Sequence, residues 1–161
     1  MLAQLALRSG ARVLEFGCGN GAIAAQLCDS YPDLSMVAVD RSEMAVKRAA
    51  TRLRRHLDSG TLTLRQVALA DLDVADGAFD VAFGVNVNVF WTSPATAELT
   101  VLRSALVPGG RLLICFGPAP VENRQAGILA TVSDHLRAEG FDHVAVSADR
   151  VGSAVTASSP G

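Results

Sequence analysis

Short apolar runs alternate with helix-like patterns along most of the chain. The apolar runs predict strands over residues 12–16, 34–40, 61–67, 79–85 and 111–116. The first run is almost continuously apolar, which is typical of a strand that is buried on both faces. Because strands that alternate with helices form open parallel sheets with right-handed connections, the pattern predicts an α/β protein.

Helical spacing is clearest in the segment after the second predicted strand. Its apolar positions fall on one stripe: Val46, Ala49, Ala50, Leu53 and Leu57. Ser42 is a typical N-cap residue, and Gly60 follows the expected end of the helix near Asp58. Further helices are predicted over residues 21–31, 94–106 and 128–139.

The C-terminal region departs from this alternation. Two strand patterns, over residues 143–148 and 154–158, are separated only by Asp149–Ser153. A segment of that length is too short for a parallel crossover, which needs about a dozen residues. We therefore expect the last strand to run antiparallel to an otherwise parallel sheet.

Composition and charge narrow the class of protein. Half of the 161 residues are hydrophobic and 19% are charged, which is typical of a globular chain with one domain over residues 1–161. The net charge of −2 argues against a dedicated nucleic-acid binder. Cys18, Cys28 and Cys115 form no C-x-x-C pair, so neither a disulfide framework nor a metal site is predicted. Without a signal peptide or a membrane-spanning run, a cytoplasmic location is expected.

The run Arg-Val-Leu-Glu-Phe-Gly-Cys-Gly-Asn-Gly-Ala, residues 12–22, carries the strongest functional signal. In it an apolar strand leads through Glu15 into Gly17, Gly19 and Gly21 and then into a predicted helix. Glycine tolerates positive φ and has no side chain to keep a ligand from the backbone. The first turn of the helix adds free N–H groups. The run therefore predicts a nucleotide-binding turn.

Acidic residues follow the next two predicted strands. Asp40 ends the second strand, and its carboxylate suits the two hydroxyls of a ribose. After the third strand comes Ala70-Asp71-Leu72, in which the acid suits an exocyclic amine and its apolar neighbours suit an adenine ring. Because the carboxyl ends of parallel strands meet at one edge of a sheet, these residues and the glycine turn predict one adenosine-binding site.

The run Glu15-Phe-Gly-Cys-Gly-Asn-Gly21 resembles motif I of the class I S-adenosylmethionine-dependent methyltransferases. Further segments are similar to that family in the same order along the chain: Asp40, Asp71, Phe79-Asp80 and Leu106-Val-Pro-Gly-Gly-Arg-Leu112. The resemblance implies a three-layer αβα sandwich with a doubly wound, mostly parallel seven-stranded sheet. It also implies the strand order 3-2-1-4-5-7-6 with an antiparallel last strand.

The resemblance further implies the cofactor, S-adenosylmethionine, and the residues that hold it. Glu15 and the backbone of Gly17 and Gly19 would hold its methionine end. Asp40 would hold its ribose, and Asp71 would accept from the adenine amino group. Other cofactor-binding positions are implied at Cys18, Gly21, Arg41, Met44, Ala70, Leu72 and Asn86.

On the acceptor side, the resemblance points to the segment 84–92 after the fourth strand. Asn86 and Asn88 are the candidate catalytic residues, which would position the methyl acceptor, and Phe90 and Trp91 are candidate substrate contacts. The alternative is that the asparagines only hydrogen-bond the loop and the rings cap the core. Methyltransferases that act on planar amino groups carry an Asn/Asp-Pro-Pro-Tyr pattern in this segment. No proline follows either asparagine here, which puts planar amino groups in doubt as acceptors.

Two other functions remain open. Gly17-x-Gly19-x-x-Ala22 also fits the pattern of NAD(P)-dependent oxidoreductases, and Asp40 suits either cofactor. Glu15 argues against a dinucleotide because its charge would oppose a pyrophosphate, and the chain lacks room for a substrate domain. The other alternative is a non-catalytic S-adenosylmethionine-binding module.

Simpler structural explanations also apply to single residues. Glu15 could be the partner of a helix dipole, Asp40 a helix cap and Asp71 a plain turn residue. Cys18 is expected to fill space in the turn rather than to act as a nucleophile.

The acceptor itself is expected to be a small molecule, with neither nucleic acid nor membrane as a partner. Only about ten residues precede the first strand, so the acceptor site is open, is completed by a second subunit in a homodimer, or belongs to a longer protein. His56, His135 and His143 lie away from the predicted strand ends and are expected at the surface. No general base is therefore predicted.

Overall fold

The computed structural model describes residues 5–117, 122–149 and 152–161. Within these residues the strands are β1 (Arg12–Phe16), β2 (Ser35–Asp40), β3 (Leu62–Gln66), β4 (Phe79–Val85), β5 (Leu106–Phe116), β6 (Asp142–Asp149) and β7 (Gly152–Ser158). The helices are α1 (Ala22–Ser30), α2 (Glu43–Asp58), α3 (Val89–Thr92), α4 (Thr96–Ala105) and α5 (Glu122–Ala138), and a 3-10 turn spans Leu69–Asp71. The strands and helices predicted between residues 12 and 158 are confirmed, with shifted ends.

The strands form one sheet in the order β3-β2-β1-β4-β5-β7-β6. Strands β1 to β5 pair in parallel, whereas β7 runs antiparallel to both β5 and β6. This confirms the predicted order and the antiparallel last strand, although residues 150 and 151 of the predicted connection lie outside the described residues. The strand order reverses between β1 and β4, and such a reversal opens a crevice at the carboxyl ends of the strands.

Alternate side chains of the sheet face two helical layers. Leu14 and Phe16 of β1 pack in the cluster that contains residues of α4 and α5, whereas Val13 packs in the cluster that contains residues of α1 and α2. All three side chains are fully buried, as the apolar run predicts. The αβα sandwich is thereby confirmed. In the described part of the chain, no helix combines the length and the apolar character that a bilayer span requires.

Strand β5 starts earlier than predicted. Phe79 pairs with Leu106 and Val81 pairs with Arg111, so residues 107–110 form an irregularity opposite a single residue of β4. The C-terminal tail holds this irregularity, because the Ser159 N–H donates to the Gly110 carbonyl oxygen over 2.8 Å. The Pro-Gly-Gly signal ends α4, but the pairing of Leu106 depends on a distant strand and is not visible in the local sequence.

The prediction that His56 lies at the surface is wrong. His56 is only 9% exposed, and its Nε2 atom lies 2.8 Å from Asp29 Oδ1. Ala49, Leu53 and His56 have the spacing of one helix face, so the buried stripe of α2 extends to the histidine. His143 is exposed, as predicted, and His135 is half-buried.

Candidate functional site

The glycine turn between β1 and α1 is fixed against the end of β2. The Cys18 N–H donates to the Val39 carbonyl oxygen over 3.0 Å. The Gly19 N–H donates to Asp40 Oδ2 over 2.9 Å, and the Ser42 N–H donates to Asp40 Oδ1 over 2.8 Å. The Asp40 carboxylate therefore holds two backbone segments, while each of its oxygens keeps a further acceptor position.

The glycines of the turn all have positive φ, but their surroundings differ. A Cβ atom at Gly21 would lie 2.8 Å from Cδ1 of the fully buried Leu53, so this glycine lets α1 pack closely against α2. A Cβ atom at Gly17 would lie 2.6 Å from Cγ2 of Val87. At Gly19 a Cβ atom would meet nothing within 4 Å, so the backbone there faces open space that a ligand can enter.

Glu15 is a buried acid beside this turn. The residue is 2% exposed, and its Oε2 atom has no hydrogen-bond partner in the described part of the chain. Burial raises the pKa of Glu15 to about 8, the Ala24 backbone N–H offsets part of this rise, and the charge of Asp40 adds to it. A cation at the turn would therefore find a carboxyl group whose Oε2 atom has no partner among the described residues.

Cys18 fills space in the turn, in agreement with the prediction. The residue is buried. Burial raises the pKa of the Cys18 thiol to about 12, with smaller contributions from the charges of Glu15 and Asp40. The thiol stays protonated at neutral pH and is not an activated nucleophile.

A cavity of about 420 Å³ lies where the carboxyl ends of β1, β2, β3 and β4 meet. Five residues that the sequence singled out line it: Gly17, Asp40, Arg41, Asn86 and Asn88. The described lining also includes residues that the sequence analysis missed: Phe16, Val39, Val67, Ala68, Leu69, Val87, Val89, Thr92 and Glu98. The cavity therefore joins the expected cofactor edge to the segment after β4.

The cavity wall after β3 is formed by other residues than the predicted Ala70, Asp71 and Leu72. Strand β3 ends at Gln66, so Val67, Ala68 and Leu69 are the ones that line the cavity. Asp71 is exposed and Leu72 is buried in the core, and neither they nor Ala70 are among the described lining residues. The residues that directly follow the end of β3 form the cavity wall, whereas Asp71, the first acid after the strand, does not.

Met44 also stands outside the cavity wall. Its residue is 58% exposed in the first turn of α2, and it is not among the described lining residues. Arg41, by contrast, precedes the helix and is both exposed and part of the wall.

The segment after β4 is held by Asn86. Its N–H donates to the Cys115 carbonyl oxygen over 2.9 Å, and its Oδ1 accepts from the Gly117 N–H over 3.0 Å. The side chain thus ties the end of β4 to the end of β5. Asn88 directly precedes α3, is exposed, and makes no capping hydrogen bond with its side chain. Of the two amides, that of Asn88 is the more available to a ligand.

The two aromatic residues of this segment pack inward. The Phe90 residue is 1% exposed, with its ring centroid 5.4 Å from that of Phe16. The Trp91 ring meets the Phe116 ring edge-on at 5.3 Å. Neither ring is among the described lining residues of the cavity. This placement agrees with the alternative that the rings cap the core.

Comparison with known proteins places this site in a family. The family model described as a methyltransferase domain matches residues 13–110, which include the glycine turn and the ends of β2, β3 and β4. The O-methyltransferase cnsE of Penicillium expansum is 30% identical over 111 residues, which cover 69% of this chain and 40% of that protein. Ribosomal RNA large subunit methyltransferase G of Pseudomonas syringae is 32% identical over 149 residues, which cover 85% of this chain and 35% of that protein.

The fold comparison agrees with the family match. The crystal structure of a SAM-dependent methyltransferase from Aquifex aeolicus superimposes with a TM-score of 0.82 at 19% identity, over 98% of this chain and 87% of that one. The chain belongs to the methyltransferase domain family. This confirms the resemblance to the class I S-adenosylmethionine-dependent methyltransferases, and the superposition confirms the predicted fold. The chain spans less than half the length of both relatives named above.

Proposed function

We propose that this chain transfers a methyl group from S-adenosylmethionine to a small-molecule acceptor. The observation that carries the proposal is the cavity at the switch in strand order, whose lining includes Gly17 of the glycine turn, Asp40 and Asn88. A shared fold hosts many activities, so these residues and the family match, rather than the fold alone, support methyl transfer.

The residues of the turn fit the methionine end of the cofactor. Glu15 is buried and its Oε2 atom lacks a partner in the described structure, so a nearby ammonium group would stabilise its charged form. The space beside Gly19 admits a ligand to the backbone. We assign the methionine end to Glu15 and to the backbone of Gly17 and Gly19.

The wall beyond the turn fits an adenosine. Asp40 retains an acceptor position on each carboxylate oxygen, which suits the two ribose hydroxyls. Val67, Ala68 and Leu69 offer an apolar surface to a purine, and Arg41 offers a planar guanidinium that stacks on aromatic faces. The assignment of the adenine end thus moves from residues 70–72 to the residues that directly follow β3.

When bound, S-adenosylmethionine supplies a methyl group on a positively charged sulfur. The contribution of the chain is to hold the acceptor close and in line, which can supply most of the acceleration. Asn86 keeps the ends of β4 and β5 together through its hydrogen bond to Gly117. Asn88 lines the cavity, and its side-chain amide makes no capping hydrogen bond within the described residues, so we assign the orientation of the acceptor to Asn88.

Two kinds of acceptor have support. The O-methyltransferase relative and the net charge of −2 favour a small molecule. The ribosomal RNA methyltransferase relative favours RNA, and the exposed arginines Arg48, Arg52 and Arg54 of α2 give that candidate a structural basis. The acidic balance of the whole chain makes the small molecule the better supported acceptor.

The experiment follows a tritiated methyl group from S-adenosylmethionine into the low-molecular-weight, RNA and protein fractions of a cell extract. We expect label in the low-molecular-weight fraction. We also expect the Asn88→Ala variant to transfer about tenfold less label while binding S-adenosylhomocysteine as the wild type does. Label that appears only in RNA supports the second candidate, and label in no fraction contradicts methyl transfer.

A further inference from the structure

The exposed side of α2 concentrates positive charge in a chain whose net charge is −2. Six of the fourteen Lys and Arg residues lie between residues 41 and 55, and the same segment holds a single acid, Glu43. At 3.6 residues per turn, the basic residues of α2 fall on one side of the helix, opposite the buried Ala49, Leu53 and His56. We call this side the basic face, and its residues, all exposed, are Lys47, Arg48, Arg52, Arg54 and Arg55.

Three arginines of the basic face have no acidic partner. Lys47 and Arg55 are paired with acids of the chain. By contrast, the side chains of Arg48, Arg52 and Arg54 make no ion pair or hydrogen bond with any described residue. Arg48 and Arg52 lie one turn apart, and like charges at that spacing destabilise a helix. Packing within the described chain therefore does not explain why these charges lie together.

The basic face offers charge but little apolar surface. Met44, which is 58% exposed, is the only large hydrophobic residue that α2 exposes. A protein interface needs an apolar core, whereas a phosphate backbone is bound mainly through charge. Arginine suits phosphate, because its planar guanidinium donates two parallel hydrogen bonds. The face thus fits a nucleic-acid backbone better than it fits an acidic protein.

Acids border the basic face and limit the width of the partner. Asp29 of α1 lies beside the face, and Glu43 and Asp58 are the first and last residues of α2. The basic residues span only about 12 Å along the helix axis. A membrane or a duplex presents a wide anionic surface that would also approach these acids, whereas a single strand can follow the face between them.

We propose that the basic face of α2 binds the phosphate backbone of a single-stranded nucleic acid through Arg48, Arg52 and Arg54. No residue of this face is among the described lining residues of the cavity, so the role goes beyond the proposed function. Phosphate contacts carry no base information, so binding should not depend on sequence.

The test is fluorescence anisotropy of a labelled oligouridine of about twelve nucleotides, titrated with the full chain at several salt concentrations. We expect a dissociation constant on the order of 10–100 μM near 50 mM salt, and each phosphate contact should contribute about 0.7 to the salt slope. The Arg48→Gln/Arg52→Gln variant should bind about tenfold more weakly and reduce the slope by about 1.4. An oligothymidine of the same length should bind within about threefold of oligouridine.

The Arg8→Gln/Arg137→Gln variant is the matched control, since it removes the same charge from exposed positions outside α2. It should bind oligouridine as the wild type does. Equal weakening in both variants would show that binding reflects total charge and would overturn the proposal. Thermal unfolding by circular dichroism checks folding, and Arg48→Gln/Arg52→Gln should be at least as stable as the wild type because two like charges are removed.

Three further results contradict the proposal. One is unchanged oligouridine affinity in Arg48→Gln/Arg52→Gln, and another is tighter binding of a duplex of the same length. Binding of poly-glutamate without binding of oligouridine would assign the basic face to an acidic protein instead. Calorimetric titration with S-adenosylhomocysteine keeps the two proposals apart, because a chain that binds this compound but no oligouridine overturns only the role of α2.

Discussion

At the scale of single residues, the site holds two acids in opposite environments. Glu15 is buried with an oxygen that lacks a partner in the described structure, whereas Asp40 is partly exposed and accepts two backbone N–H groups. Burial therefore raises the pKa of Glu15 to about 8. Burial thus favours the neutral form of the Glu15 carboxyl group. A cationic ligand beside the turn would favour the charged form of Glu15.

The first residue-scale prediction concerns Glu15→Gln. The folded-state pKa of Glu15 is about 8 against an ordinary value of 4.5, so the folded protein holds a proton that the unfolded chain releases. The contribution of this proton to the free energy of unfolding is fully present below pH 4.5 and is lost as the pH rises through 8. Glutamine is neutral throughout, so the variant should gain roughly 1 kcal/mol over the wild type per pH unit in this window.

The measurement is urea unfolding of unliganded wild type and Glu15→Gln at several pH values across that window. Asp73→Asn, at an exposed residue, is the control and should show no comparable trend. If the free-energy difference between wild type and Glu15→Gln does not change with pH, Glu15 is not held neutral in the folded protein.

The two acids of the described cavity wall differ in whether the sequence could predict their position. Asp40 could be placed at the site because it directly ends a buried strand, and parallel strands bring their ends together. Glu98 could not, because only the packing of α4 against the turn after β3 brings it to the cavity. Local sequence around Glu98 shows an ordinary acid in the first turn of a helix.

At the scale of elements, the glycine turn combines an open stretch of backbone with the close packing of two helices. Gly19 leaves its backbone open toward a ligand, whereas Gly21 leaves room for Leu53 of α2. Both positions have positive φ, so the motif pattern does not distinguish a glycine that faces open space from one against which another helix packs. The structure separates these two surroundings.

We predict that Gly21→Ala destabilises the protein more than Gly10→Ala does. The φ angles are +71° and +72°, so the backbone strain is matched, but a Cβ atom meets Leu53 at 2.8 Å only in the first case. Overpacking adds roughly 1–3 kcal/mol to the loss in free energy of unfolding. Urea unfolding of both variants measures the difference, and equal losses would show that α1 and α2 adjust without cost.

The elements themselves were largely predictable, for a physical reason. Strands buried on both faces give continuous apolar runs, and α2 shows its buried stripe through Ala49 and Leu53. The start of β5 was not predictable, because Leu106 is extended through its pairing with Phe79 rather than through its own sequence. The burial of His56 likewise depends on α1, which supplies Asp29.

At the scale of the whole molecule, the order of strands positions the site. β1 lies between β2 and β4, so the glycine turn, Asp40 and the segment after β4 meet at one edge of the sheet. Hydrophobic periodicity predicted the strands but not their order, which followed from the family resemblance. The acceptor could not be predicted, since the aromatic residues Phe90 and Trp91 pack inward and are not among the described residues of the cavity wall.

The proposed function requires that the cavity binds S-adenosylmethionine rather than a dinucleotide. Calorimetric titration of the purified chain with S-adenosylhomocysteine, and with NAD and NADP in parallel, tests it most directly. We predict micromolar binding of S-adenosylhomocysteine alone, weakened more than tenfold (~1.4 kcal/mol) in Asp40→Ala. Binding of NAD or NADP without binding of S-adenosylhomocysteine would contradict the account and return Glu15 to a purely structural role.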